Sequence, residues 1–422
     1  MAVQYGQPSG LTRQPGFLMM DLKSGYPYWA IKNGLMHPFP RLQSDVRCDV
    51  AVVGAGITGA LVGNELAAHG HDVVVLDQRD VGWGSTSAST ALLQYEIDTH
   101  AIDLAKRYGT RAALLAYRAC LEAIPMLAAV AHDVGDVDFN NCDSLYYASN
   151  RADHPVLAAE FAWRQKHGFP VRWLPRAALK HEFDLVAPAA ILSSVAARVD
   201  PYRLASRLLW RLHRQGRRVF DRTQVTAIAT RGRRVLLSTN ERLTIDAGHV
   251  VVASGYESQR WLRQRVAKNR SSYAYMSDPI PRSELGWLSR TLLWESARPY
   301  IYLRTTGDGR LLVGGEDDDT DVPARRDRMV DRKAAILQRK VARLRPKLDA
   351  RPAFAWAGTF AETTDGLPFF GPHRQHGPRV LFALAYGGNG ITYSMLGAGL
   401  LRALIEGRTH PLRSLFGFSR TD

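Results

Sequence analysis

Apolar residues along this chain follow two periodicities, and the switches between them mark a similar strand-to-helix unit near each end. Cys48 to Val53 reads CDVAVV, a short β-branched run of the kind buried on both faces of a parallel sheet. From Ile57 to His69 the spacing becomes helical and stops at Gly70, and Asp72 to Leu76 (DVVVL) is then a second strand ended by Asp77. Toward the other end, Val380 to Ala385 (VLFALA) predicts another buried strand, followed by a helix as far as Ile405 that Gly407 closes. In between, the run from Tyr300 to Arg304 alternates, which puts Tyr300, Tyr302 and Arg304 on one face of a strand. Tyr273 and Tyr275 in SSYAYMSDP alternate in the same way.

The glycines at the switches carry the first chemistry. Gly54-Ala55-Gly56-Ile57-Thr58-Gly59 sits between strand and helix: Gly54 permits the tight turn, Gly56 lets backbone approach a pyrophosphate, and Gly59 brings helix onto strand. The helix start offers free N–H groups and the positive end of a dipole. Asp77, at the end of the second strand, is placed to accept hydrogen bonds from an adenosine ribose. Strand, helix, second strand and acid in register predict a dinucleotide site, against the bland alternative of a glycine turn in an unrelated α/β protein.

Two features favour FAD over NAD. Arg79 and the loop Gly82-Trp83-Gly84-Ser85-Thr86-Ser87-Ala88-Ser89-Thr90 can fold against phosphates and a flat ring, donating backbone and hydroxyl hydrogen bonds. The second glycine cluster, Tyr386-Gly387-Gly388-Asn389-Gly390-Ile391-Thr392, aims another helix start into the fold, where it can stabilise the negative charge of a reduced flavin. A nicotinamide enzyme has no comparable need.

With these pieces the sequence resembles the D-amino acid oxidase and glycine oxidase-like (DAO) flavoproteins, closest to the bacterial branch that includes gamma-glutamylputrescine oxidoreductase. The likeness runs through CDVAVVGAGITG, VVVLDQRDVGWGS, ARVDPYRLASRLL from Ala197, VVVASGYES from Val250, YIYLRTTGDGRLLVGGEDD from Tyr300, TTDGLPFFGP from Thr363 and ALAYGGNGIT from Ala383. It implies an α/β fold: a Rossmann-type FAD-binding domain (48–140, 199–262 and 353–422) interleaved with a mainly antiparallel α+β substrate domain (141–198 and 263–352). Residues 1–47 would be an extension packing on the FAD domain. Gly54, Gly56 and Gly59 would hold the pyrophosphate, Asp77 the ribose, Arg79, Ser85 and Thr86 the neighbouring groups, Val225 the adenine end, and Gly388, Asn389, Gly390 and Ile391 the flavin end. Ile57, Thr58, Gln78, Gly84, Ser89, Thr90, Leu92, Ala253, Ser254, Gly255, Gly358, Asp365 and Thr392 complete the expected cofactor contacts. The FAD is expected to be noncovalent, because no Cys follows Cys142 and no His lies between Asp77 and Gln94.

The resemblance also implies the reaction: hydride leaves the carbon beside the nitrogen of a small amine or amino acid for flavin N5, and the imine hydrolyses. Oxygen or an electron carrier is the acceptor. On the substrate side, Arg304 with Tyr300 and Tyr302 is set either to grip a carboxylate bidentately or to form an ordinary ion pair on a polar sheet face. Tyr275, with Tyr273, makes either an aromatic wall for an amine or plain sheet packing. Lys268 is either the cation that speeds reaction of reduced flavin with oxygen in some relatives or an exposed lysine. Two departures from the family bear on substrate: Gly388-Asn389-Gly390 stands where relatives often have Gly-His-Gly, and Ala88-Ser89-Thr90-Ala91 where close relatives have Arg-Asn-Gly-Gly. The rival readings are a flavin dehydrogenase feeding a quinone or carrier, and a flavin-binding protein without turnover.

Composition narrows the setting. The chain has 422 residues, 46% of them hydrophobic, enough for two interleaved domains. Cys48, Cys120 and Cys142 are odd in number and lack C-x-x-C spacing, so neither a disulfide framework nor a metal site is expected, and a reducing cytoplasm suits them. His373 and His376 share a Pro/Gly loop and read as solvent-exposed. The 55 Lys+Arg against 40 Asp+Glu give +15; the arginines are scattered, which fits a solvated basic face, leaves room for peripheral membrane contact and does not indicate nucleic acid. Apolar runs break before the roughly 20 residues that cross a bilayer, and the first residues lack a basic start with an apolar block. Neither spanning nor export is expected. H-E-x-x-H, G-x-S-x-G and P-loop motifs are absent from the sequence, which argues against zinc-protease, serine-hydrolase and NTPase chemistry.

Overall fold

A computed structural model describes residues 20–421 of the protein. Two sheets organise it. The first runs in the order Phe369–Pro372, Val380–Leu384, Thr244–Val252, Val46–Val53, Val73–Leu76, Arg218–Phe220, and all neighbours except the Phe369–Pro372 edge are parallel. Its strands read as continuous apolar runs because both faces are covered. Val50 and Val52 point into a core shared with helices Ile57–Ala68, Thr110–Val134, Pro201–Arg214 and Gly390–Ile405. Ala51 and Val53 point the other way, toward the hairpin Val225–Arg231 and Arg234–Thr239.

The second sheet has ten strands, in the order Lys23–Gly25, Pro352–Glu362, Lys268–Pro279, Arg310–Asp318, Ile301–Thr305, Thr291–Glu295, Asn140–Tyr147, Ala189–Arg198, Leu92–Gln94, with Val171–Pro175 also on Ala189–Arg198. Only Thr291–Glu295 against Asn140–Tyr147 is parallel. Helix Pro323–Leu344 covers one face with Val330, Ala334, Leu337 and Val341. The other face meets the first domain through Trp29, Ala88, Ala274, Leu312 and Trp356.

Several expectations change at this level. Strand Pro352–Glu362, all but its first residue in the expected 353–422 part of the FAD domain, and Leu92–Gln94, from the 48–140 part, both pair into the second sheet. A half-buried alternating strand reads the same whichever sheet it joins, so the crossing is invisible in sequence. The extension packs on both domains: Lys23–Gly25 adds a strand to the second sheet, while Phe39 N donates to Asp221 Oδ2 at 3.2 Å in the first. Residues 1–19 of that extension lie outside the described residues.

Helix Thr110–Val134, with a mean hydropathy of 1.6 over its most apolar window, is long and apolar enough to cross a membrane, against the expectation. It buries Ala116, Tyr117, Cys120, Ala123 and Leu127 in the protein core and exposes Arg111, Arg118 and Glu122. That one-sided pattern is the pattern of a core helix. His373 is also buried, its ring 4.9 Å from Phe418, and is not the exposed loop residue expected.

Candidate functional site

A long cleft runs between the two sheets, walled at one end by the first glycine turn and at the other by the second. Backbone geometry makes the first turn. Gly54 has φ +116, and a Cβ there would lie 2.4 Å from Ala253 O. A Cβ on Gly59 would lie 1.8 Å from Gly54 O, so glycine is what lets helix Ile57–Ala68 start directly on the turn. Thr86 Oγ1 accepts the Ile57 N–H at 3.0 Å, tying the hydroxyl-rich loop to the helix start. Asp77 accepts the amides of Ala55 (2.7 Å) and Arg79 (2.8 Å). Burial pushes the Asp77 carboxyl up to about 6, with those amides opposing the rise.

At the other end, strand Val380–Leu384 turns into helix Gly390–Ile405. Gly388 N donates to Asp98 Oδ2 at 2.8 Å, and Asn389 Nδ2 donates to Glu96 O at 2.8 Å. Thr58 and Ser394 hydroxyls meet at 2.8 Å, bracing the two glycine-led helices against each other. Glu96 turns its carboxyl away into a sealed cluster with Ser193, Arg164 and Glu160, one guanidinium for two carboxylates. Burial raises the Glu96 pKa above the usual carboxylate range.

The residues present fit an FAD on grounds internal to the structure. Ser85 Oγ and Gln78 Oε1 line the cleft, are buried, and find no hydrogen-bond partner within the protein. Buried polar groups are ordinarily satisfied, so such orphans beside a helix start point to a polar ligand. Two helix starts facing one cleft suit a molecule with negative charge at two places along its length. Among the described residues neither His nor Cys lines the cleft.

Gly54, Gly56, Ile57, Thr58, Asp77, Gln78, Arg79, Gly84, Ser85, Thr86, Ser89, Thr90, Leu92, Val225, Ala253, Ser254, Gly255, Gly358, Gly388, Asn389, Gly390 and Ile391 all line this cleft, as do Tyr300 and Tyr302. Gly59 and Thr392 stand behind it, Thr392 Oγ1 donating to Gln94 O at 3.3 Å. Asp365 is also outside: it is buried against Arg420 (2.7 Å) and the Tyr108 hydroxyl (2.7 Å), a structural ion pair. Arg79 reaches past the ribose region to Glu257 (2.8 Å) and Met20 O (2.6 Å).

The substrate-side expectations are corrected more heavily. Arg304 is fully buried, and its donors go to Thr90 O (2.6 Å), Thr305 O (3.3 Å) and Val199 O (2.8 Å), which leaves its fork committed to backbone. Tyr275 is fully buried in the core under helix Pro323–Leu344, on the sheet face away from the cleft. Tyr273 reaches the cleft wall but its hydroxyl donates to Asp318 at 2.9 Å. Lys268 is exposed and pairs with Asp319 at 3.4 Å, outside the cleft.

What sequence reasoning missed sits two residues to the other side of Tyr300. Arg298 lines the cleft from an exposed position at its mouth, with its guanidinium 4.6 Å over the Tyr300 ring; it donates to Ala297 O, and among the described residues it pairs with no carboxylate within ion-pair distance. Arg298 precedes strand Ile301–Thr305, so the alternation that groups Tyr300 and Tyr302 does not signal it. Trp294 adds a wall, stacked 3.7 Å on Tyr146 and holding Ser144 Oγ through its indole N–H. Tyr302 lies 5.5 Å from Tyr300, and burial pushes its hydroxyl up to about 12, so it stays a neutral phenol. Glu257, which accepts from both Gln78 (2.7 Å) and Arg79, is a further unexpected cleft residue.

Comparison with known proteins agrees with this geometry. A family model described as FAD dependent oxidoreductase (DAO) matches residues 49–404. Glycine oxidase of Geobacillus kaustophilus is 29% identical over 89% of this chain and 97% of its own length. Gamma-glutamylputrescine oxidoreductase of Escherichia coli is 25% identical over 90% of this chain and 88% of its own. The crystal structure of the Geobacillus kaustophilus glycine oxidase superposes with a TM-score of 0.76, covering 89% of this chain and 100% of that one at 23% identity.

Proposed function

This chain belongs to the FAD-dependent oxidoreductase family, and from that premise we propose that it oxidises a small amine or amino acid at the carbon beside the nitrogen. The observation that carries the substrate reading is Arg298: an unpaired guanidinium among Tyr300, Tyr302 and Trp294, at the end of the cleft set by the second glycine turn. A planar fork on an aromatic wall suits a carboxylate, and the ring faces beside it suit an amine. The likeness to an enzyme named glycine oxidase supports the same class.

Bound FAD supplies the hydride acceptor, and water completes the hydrolysis of the imine. The protein's part is positioning. The amides of the Gly54–Ile57 turn and Ser85 Oγ would hold the pyrophosphate, and Asp77 the ribose. Gln78, oriented by Glu257, would meet the adenine side. The amides of Gly388 to Ile391 would face negative charge at the flavin end, with Asn389 fixed by Glu96 O. Tyr300, Tyr302 and Trp294 exclude water, and Arg298 holds the substrate in register. Among the described residues the cleft lining holds no His or Cys to which a flavin could be linked, which supports a noncovalent flavin. Oxygen or an electron carrier would take the electrons onward; the exposed Lys268 does not face that exchange.

The test is anaerobic mixing of the purified flavoprotein with glycine, sarcosine, both enantiomers of alanine and of proline, and putrescine. At least one should bleach the flavin, and the carboxylate-bearing members should be favoured. A yellow protein that none of them bleaches removes the amine reading. Oxygen uptake against dye reduction with the active amine then assigns the acceptor.

A further inference from the structure

One carboxylate beside the cleft is left without a charge partner. Along strand Arg310–Asp318 the positive φ of Glu316 (+56) marks an irregularity, after which Glu316 and Asp318 both turn to helix Pro323–Leu344. There Lys340 meets Glu316 at 2.7 Å and Lys333 meets Asp318 at 2.8 Å. Asp317, between them, stands directly behind the cleft wall, beside the Ser272 hydroxyl and near Tyr300 and Tyr302, which line the cleft. Its Oδ1 is buried and has no hydrogen-bond partner, and among the described residues no cation forms an ion pair with it. A buried carboxylate oxygen without a donor is costly unless a ligand supplies one.

An ammonium supplies three donors. Resting on the amine reading above, we propose that Asp317 pairs with the substrate's ammonium group and takes one of its protons, leaving the neutral amine that hydride loss requires. An N–H bond breaks, an O–H bond forms on the Asp317 carboxyl, and the charges of ammonium and carboxylate cancel; no electrons change hands in this step. Arg298 at one end and Asp317 at the other then match the two charges of a zwitterionic amino acid.

The groups around Asp317 tune it toward this task. Burial pushes its carboxyl up to about 6, Ser272 opposes by hydrogen bonding, Glu362 and Asp98 add to the rise, and Arg298 lowers it. Arg270, on the same strand as Ser272, is committed to Glu362 and Asp319. Asp98 has one oxygen occupied by the Gly388 amide, which makes Asp317 the freer acceptor. A carboxyl near 6 is ionised at neutral pH and close enough to it to accept a proton readily.

The experiment is the pH profile of kcat/KM for the holoenzyme with whichever amine of the panel above bleaches it fastest. In the unsubstituted protein, kcat/KM should fall as pH drops through about 6, because protonated Asp317 neither pairs with ammonium nor accepts a proton. In Asp317→Asn that step should vanish, kcat/KM at pH 7 should fall about 100-fold, and activity should return roughly tenfold per pH unit as free amine accumulates. Asp317→Glu should keep the step. A readout independent of turnover is the Kd of acetate, taken from the shift of the flavin spectrum: it should tighten in Asp317→Asn, since one negative charge leaves the site. A step near pH 6 that survives in Asp317→Asn, or acetate binding that weakens, overturns the proposal while the amine reading stands. An unsubstituted protein that no amine reduces removes the amine reading itself, and this inference with it.

Discussion

Gly59→Ala should bind FAD about 50-fold more weakly than the unsubstituted protein and lose about 3 kcal/mol of stability. The new Cβ would stand 1.8 Å from Gly54 O, and the atom it meets is backbone inside the turn that presents the cleft's amides. Neither partner is a flexible side-chain end, so the helix start must lift or the turn must rotate. Either movement misaims the amides of Gly54 to Ile57. Fluorescence titration of the flavin-free protein with FAD and a thermal melt measure both losses. Gly399→Ala is the matched control: it lies in helix Gly390–Ile405 with nothing within 4 Å of the added Cβ. It should be neutral or stabilise by up to about 1 kcal/mol, since alanine loses less backbone freedom than glycine in a helix.

Arg298→Ala should raise KM for carboxylate-bearing substrates about 100-fold, the loss of about 3 kcal/mol from one bidentate charge-assisted pair. A substrate without a carboxylate, such as putrescine, should be affected by less than tenfold. Arg298→Lys should recover only part of the loss, because an ammonium cannot reproduce the planar fork. Arg304→Ala separates the two arginines. Its guanidinium holds Thr90 O and Val199 O from a fully buried position, so its removal should lower the melting temperature strongly. Equal KM effects from Arg298→Ala across substrates with and without a carboxylate would remove the carboxylate contact.

These two arginines also show where sequence reading ends. The row from Tyr300 through Tyr302 to Arg304 is legible as an alternation, and periodicity says which residues share a strand face, whereas Arg298 precedes strand Ile301–Thr305. It does not say how far along that face the cleft extends. The loop Ser89–Thr90 and Trp29 cover the Arg304 end, and Trp29 comes from a segment far away in sequence, with the Arg304 guanidinium 5.1 Å over its ring. The two glycine turns were legible for the opposite reason. Their chemistry is local: a strand, a positive-φ glycine and a helix start are neighbours in the chain, so spacing alone brings them together.

Longer-range partners leave weaker marks. Asp365 sits in the motif TTDGLPFFGP, but its charge is spent on Arg420 near the chain's end, which no local pattern indicates. Strand Pro352–Glu362 alternates as a half-buried strand should, yet which of two sheets receives it depends on a crossover. Asp317 lies in a run of four acids, Glu316 to Asp319, that reads in sequence as a solvated patch. Only the lysines of helix Pro323–Leu344 and the arginine at 270 reveal that its neighbours are paired while it is not.

Both glycine turns should hold one FAD, without a covalent bond, in the cleft between the sheets. Acid precipitation of the purified protein, with the flavin then measured in supernatant and pellet, tests it most directly. One FAD per chain should appear in the supernatant. A protein that is colourless and takes up no added FAD, or one whose flavin stays with the pellet, contradicts the account.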